Sequence, residues 1–151
     1  MILIRLLKSG KIFIWAICNN LILQTFLEYY FYLFVMKIMH VITRSDLGGA
    51  QSVLINIVNS LCRENEVIVI AGEGDGKMWE LLDKRIRRIN VPALKRNISI
   101  INDIKVLFSF LSIYRRYEPD VIHLHSSKVG LLGRLAFPKG KVIYTVHGFD
   151  S

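Results

Sequence analysis

From residue 36 onward the apolar residues change period repeatedly, and that alternation limits the possible folds more than any other feature. The segments 37–43 (KIMHVIT), 66–71 (EVIVIA), 86–91, 120–124 (DVIHL) and 141–146 (KVIYTV) are short, largely β-branched, and read as buried strands. Between them the spacing turns helical. Residues 50–62 carry Val53, Leu54, Ile57, Val58 and Leu61 on one stripe, and residues 77–84 form a short helix after Gly72, Gly74 and Gly76. The longest helix is expected over 99–117, with Ile100, Ile101, Ile104, Leu107, Phe108, Leu111 and Tyr114 as its apolar face and Glu118-Pro119 as its end; a last short helix covers 128–137. Strands alternating with helices predict an α/β fold, a doubly wound parallel sheet of Rossmann-like type with right-handed crossovers. Ligands bind such sheets beyond the carboxyl ends of the strands, so function is expected just after Thr43, Ala71, Val91, Leu124 and Val146.

Composition divides the 151 residues in two. Residues 1–35 hold 25 apolar residues and 8 of the 16 aromatics, with only Arg5, Lys8, Lys11 and Glu28 charged. Residues 36–151 have the ordinary make-up of a globular domain and are expected to fold as one. Three readings of the hydrophobic leader compete. A membrane anchor suffers because the uncharged run 12–27 is shorter than the roughly 20 residues of a spanning helix. A cleaved signal peptide lacks a small-residue cleavage site. The favoured reading starts translation at Met36 and treats 1–35 as upstream sequence. High apolar content excludes intrinsic disorder, and two cysteines, Cys18 and Cys62, exclude a disulfide scaffold.

The candidate chemistry gathers at the strand ends. After the first strand, Gly48 and Gly49 lead directly into a helix; adjacent glycines there permit a tight turn and let a phosphate approach the helix N-terminus, or serve the turn alone. Neither a dinucleotide fingerprint nor a Gly-x-x-x-x-Gly-Lys phosphate loop is present. Glu73, after the second strand, stands where a ribose-binding carboxylate would, without the glycines that accompany one. His123 and His125, two apart, share one side of the sheet if the strand continues. A metal would need a third ligand, for which His147 is the candidate. No Cys or carboxylate has metal-ligand spacing, so hydrogen-bonded histidines are expected and no metal is assigned.

The net charge of +8 includes Lys84, Arg85, Arg87, Arg88, Lys95 and Arg96 around the third strand and Arg115 and Arg116 at the end of the long helix. Without interleaved aromatics or a nucleic-acid module this basicity does not predict nucleic-acid binding. It suits an anionic membrane surface, while Arg115 and Arg116 also complement a helix C-terminus.

Three blocks, KIMHVITRSDLGGAQ (37–51), PDVIHLHSSKVGLLGR (119–134) and VIYTVHGF (142–149), resemble in this order the N-terminal half of the family-four retaining glycosyltransferases of GT-B fold. The resemblance implies two Rossmann-like domains facing across a cleft, an N-terminal one for the acceptor and a C-terminal one for the nucleotide-sugar donor. That donor is a substrate, and no cofactor is implied. Gly48 and Gly49 then match a glycine loop lying against donor diphosphate and acceptor. His147 matches a histidine contacting the transferred sugar and is the catalytic candidate. His125, Ser126, Ser127 and Lys128 match a substrate-binding loop of the same cleft.

With 151 residues the chain is too short to close two such domains, so it is expected to be a truncated, acceptor-side half, inactive alone. The implied reaction is sugar transfer to a lipid-linked or polysaccharide acceptor in bacterial surface polysaccharide synthesis, in the cytoplasm or peripherally at the inner face of the plasma membrane. The alternative is a non-catalytic remnant, or a half-protein that needs a partner chain supplying the donor-binding domain.

Overall fold

A computed structural model describes residues 35–138 and 141–147. The chain divides into two units, Met1–Val35 and Met36–Ser151, and the elements given below belong to the second. The competing readings of the leader lie outside the described residues.

The elements run β1 (Lys37–Ile42), α1 (Gly49–Leu61), β2 (Glu66–Ala71), α2 (Lys77–Glu80), β3 (Arg87–Asn90), α3 (Ile100–Tyr117), β4 (Val121–Leu124), α4 (Ser127–Ala136) and β5 (Val142–Tyr144). The strands form one sheet in the order β3-β2-β1-β4-β5, and every pairing is parallel. The expected doubly wound α/β class is the observed one.

Alternation along the strands feeds two cores. Met39 and Val41 of β1 join Ile68, Ile70, Ile122 and Leu124 under Val106 and Phe110 of α3 and Val129 and Leu132 of α4. On the opposite face Ile42, Val67, Val69 and Ala71 pack against Leu54, Ile55 and Val58 of α1 and Met78 of α2. α4 approaches the sheet closely because its glycines are small: a Cβ at Gly133 would lie 2.7 Å from Leu124, and one at Gly130 would lie 2.7 Å from the Tyr144 ring.

Four expectations need correction. The helix expected over 77–84 is a single turn, because Asn59 accepts from the Asp83 amide and donates to the Leu81 carbonyl, satisfying backbone groups that a longer helix would have used. The third strand is shorter than 86–91 and pairs only with β2. In α1 the buried residues are Leu54, Ile55 and Val58, while Val53 is exposed. In α3 the core side is centred on Val106 and Phe110, and Ile100, Ile101, Ile104 and Phe108 are exposed. That helix is apolar on two sides: Leu107, Leu111, Ile113 and Tyr114 pack with Val106 and Phe110 against the core, while the exposed residues lie toward its start.

Candidate functional site

The strand order reverses between β1 and β4, which leave that line in opposite directions toward α1 and α4. A doubly wound sheet opens its ligand crevice at such a switch point. A cavity of about 420 Å³ lies there, lined among others by Arg44, Gln51, Arg96, Ser126, Lys128 and His147. Ile42, Thr43, Ala50, His125, Ser127, Tyr144 and Val146 complete its wall.

The loops beyond β1 and β4 are joined directly. Thr43 Oγ1 and Ser126 Oγ are hydrogen-bonded at 2.5 Å, and the His125 amide donates to the Val41 carbonyl at 2.9 Å. Ser126 is the N-cap of α4, yet its hydroxyl makes no cap bond. The glycine cap of α1 has no side chain to offer, and neither helix carries an acidic residue in its first turn. Two helix N-termini with uncapped amides and positive dipole ends therefore border one cavity, an arrangement that favours an anion.

The expected residues are distributed unevenly. His125, Ser126, Ser127, Lys128 and His147 line the cavity. Gly48 and Gly49 do not; they precede the lining residues Ala50 and Gln51 and set the start of α1. A Cβ at Gly49 would meet nothing within 4 Å, so packing does not require glycine there. The Lys128 ammonium lies 2.7 Å from Asp103 and donates to the Asn97 carbonyl at 2.6 Å, tying α4 to the start of α3. Glu73 accepts a hydrogen bond from the Arg96 amide, which fixes the loop after β3.

A histidine cluster stands behind the cavity wall. The parallel register pairs His40 of β1 with His123 of β4, and His125 follows two residues later. His40 Nδ1 and His125 Nε2 are 2.9 Å apart, His125 Nδ1 and His147 Nε2 are 3.0 Å apart, and His123 Nε2 is hydrogen-bonded to Thr145 Oγ1 at 2.7 Å. Burial holds the His40 imidazole down to about 3, with the nearby His123 adding to the shift. Burial lowers His125 still more strongly, aided by the other three rings, and lowers His123 to a lesser degree. His40, His123 and His125 are thus neutral around pH 7.

The expected third partner of His123 and His125 is corrected. His40, rather than His147, joins them in a group whose ring nitrogens lie within 4.8 Å of one another. That spacing would admit a metal ion, but His40 and His125 are already hydrogen-bonded to each other. Sequence reading missed His40 because a histidine inside a buried strand carries no motif. Each of His40 and His123 is the fourth residue of its expected strand, 37–43 and 120–124, and that was the available signal. Arg96 was legible only as part of the loop after Val91.

The Glycosyltransferase Family 4 profile matches residues 47–151. The chain belongs to glycosyltransferase family 4. It is 38% identical over 117 residues to the Escherichia coli UDP-Gal:alpha-D-GlcNAc-diphosphoundecaprenol alpha-1,3-galactosyltransferase, a match covering 76% of this chain and 30% of that protein. Among solved structures it is similar to Anabaena HepE in complex with UDP and glucose, at 18% identity and a TM-score of 0.48, over 72% of this chain and 29% of HepE. The complex of HepE with UDP-glucose gives 20% identity and a TM-score of 0.47. The family-4 chain described here therefore spans less than a third of the length of these relatives.

Proposed function

We propose that residues 36–151 are the acceptor-side half of a retaining family-4 glycosyltransferase that uses a nucleotide sugar and a lipid-linked diphosphate acceptor in the assembly of bacterial surface polysaccharide. The observation that carries this reading is the cavity at the sheet's switch point, where two uncapped helix N-termini meet Arg44, Arg96 and His147. Two helix N-termini with Arg96 and Arg44, the latter paired with Asp46, suit a diphosphate, and Ser126, Ser127 and Gln51 suit sugar hydroxyls. The Escherichia coli relative, whose acceptor is a GlcNAc-diphosphoundecaprenol, supports the same class.

Transfer needs fixed positive groups around the leaving diphosphate of the donor. In this reading those groups belong to a second domain outside the chain, either continuing the same protein or supplied by a partner. A role at the inner face of the plasma membrane agrees with an outward stripe on and before α3: Ile98, Ile100, Ile101, Ile104 and Phe108 are exposed beside Lys95, Arg96 and Lys105. Apolar residues flanked by lysine and arginine suit an anionic bilayer. Arg96 also lines the cavity, so the stripe begins at its rim.

Titration of the isotope-labelled chain with a water-soluble, short-prenyl GlcNAc-diphosphate tests the reading. Saturable shifts at Ser126, Ser127, Gln51 and His147 are expected. Shifts confined to another face of the sheet, or none at millimolar ligand, would contradict it.

A further inference from the structure

His40, His125 and His147 are joined nitrogen to nitrogen in a line that runs from the interior to the cavity. The rings are nearly parallel, inclined by 23° and 19°, with centroids 5.2 and 5.3 Å apart. These separations exceed the nitrogen–nitrogen distances by two ring radii, so the rings meet edge to edge, as in-plane N–H···N bonds require. At the inner end His40 Nε2 is buried and has no hydrogen-bond partner among the described residues. At the outer end stands Nδ1 of His147, a residue of the cavity wall.

A neutral imidazole has one N–H and one bare nitrogen, and each link in the line needs one proton. Three neutral rings therefore allow only two arrangements. Either all three carry the proton on Nδ1, or all three carry it on Nε2. The second leaves an orphaned N–H on buried His40. The first leaves a bare acceptor there and puts the outer N–H on Nδ1 of His147, a cavity-lining residue. Orphaned buried N–H groups are the rarer of the two, and a bound anion would further favour a donor at the cavity.

We propose that His40 and His125 are positioning residues that lock the tautomer of His147, so that His147 presents Nδ1–H to the substrate as a hydrogen-bond donor. The burial that keeps His40 and His125 neutral leaves each with a single N–H, the condition from which the two arrangements follow. The inference rests on the proposed substrate cavity only for what His147 meets. The lock itself is read without ligand or turnover, so its failure is distinguishable from failure of that proposal.

Long-range proton–nitrogen NMR of the labelled full chain at pH 7 reads each tautomer from its two ring-nitrogen shifts. The expected result is Nδ1–H for His40, His125 and His147, with scalar coupling across both N–H···N links. In His125→Phe, which cuts the line, His147 should revert to the Nε2–H form that predominates in free imidazole. A loss of fold in that variant would leave the unmodified chain's shifts and couplings to decide. His147 found as Nε2–H in the unmodified chain, or unchanged in a folded His125→Phe variant, would overturn the lock. So would stoichiometric Zn²⁺ binding that moves His40, His123 and His125 together.

Discussion

Burying two imidazoles at a polar cavity has a cost that appears as pH dependence. An unfolded histidine takes up a proton near its model value of 6.5, whereas burial holds His40 near 3 and His125 lower. Below about pH 6.5 the unfolded chain therefore binds more protons than the folded one, and acid withdraws stability. Each of these two histidines should contribute a slope of up to about 1.4 kcal/mol per pH unit. Urea unfolding at steps from pH 7 to pH 5 checks this, and His40→Leu should flatten the curve. The glycines give the opposite contrast. A Cβ at Gly72 would sit 1.8 Å from the Leu94 carbonyl oxygen, so Gly72→Ala should destabilise by about 2–3 kcal/mol or prevent folding. Gly49→Ala meets open space and should leave the unfolding midpoint within about 0.5 kcal/mol of the unmodified chain.

The tie between α4 and α3 is the partly buried pair of Lys128 with Asp103, each side chain less than a fifth exposed. Breaking it with Asp103→Ala strands a cation beside the cavity and should cost about 1–3 kcal/mol, less than a fully buried pair and more than a surface one. α3 also carries the outward stripe. Ile101→Glu with Phe108→Glu should leave stability nearly unchanged, since both residues are exposed, while lowering partition onto phosphatidylglycerol vesicles by about tenfold or more. These elements also show where sequence is informative. β1, β2 and β4 were legible because buried parallel strands are continuous apolar runs. The orientation of α3 was not, because periodicity reports that a helix has an apolar stripe and not which of two stripes meets the sheet. The length of α2 was hidden too, since it depends on Asn59, whose side chain reaches Leu81 and Asp83 from another helix.

For the molecule as a whole, the order β3-β2-β1-β4-β5 brings the ends of β1 and β4 together, and with them residues more than 80 positions apart. That convergence brings Ser126, Ser127, Lys128 and His147, which the family resemblance grouped, to one cavity wall. The link from His147 through His125 to His40 needed the parallel register and could not be read from spacing. On the proposed division of labour this chain holds the acceptor side only. Purified chain incubated with nucleotide sugars and prenyl-diphosphate acceptors should release no nucleoside diphosphate above background. The deciding measurement supplies a donor-side domain. The region of the Escherichia coli galactosyltransferase that matches this chain is replaced by residues 36–151, and galactose transfer to GlcNAc-diphosphoundecaprenol is assayed. The account predicts measurable transfer that falls at least about a hundredfold on His147→Ala with little change in stability, a loss typical of removing a preorganised donor. A folded chimera that transfers nothing, or one that transfers equally well without His147, would contradict it.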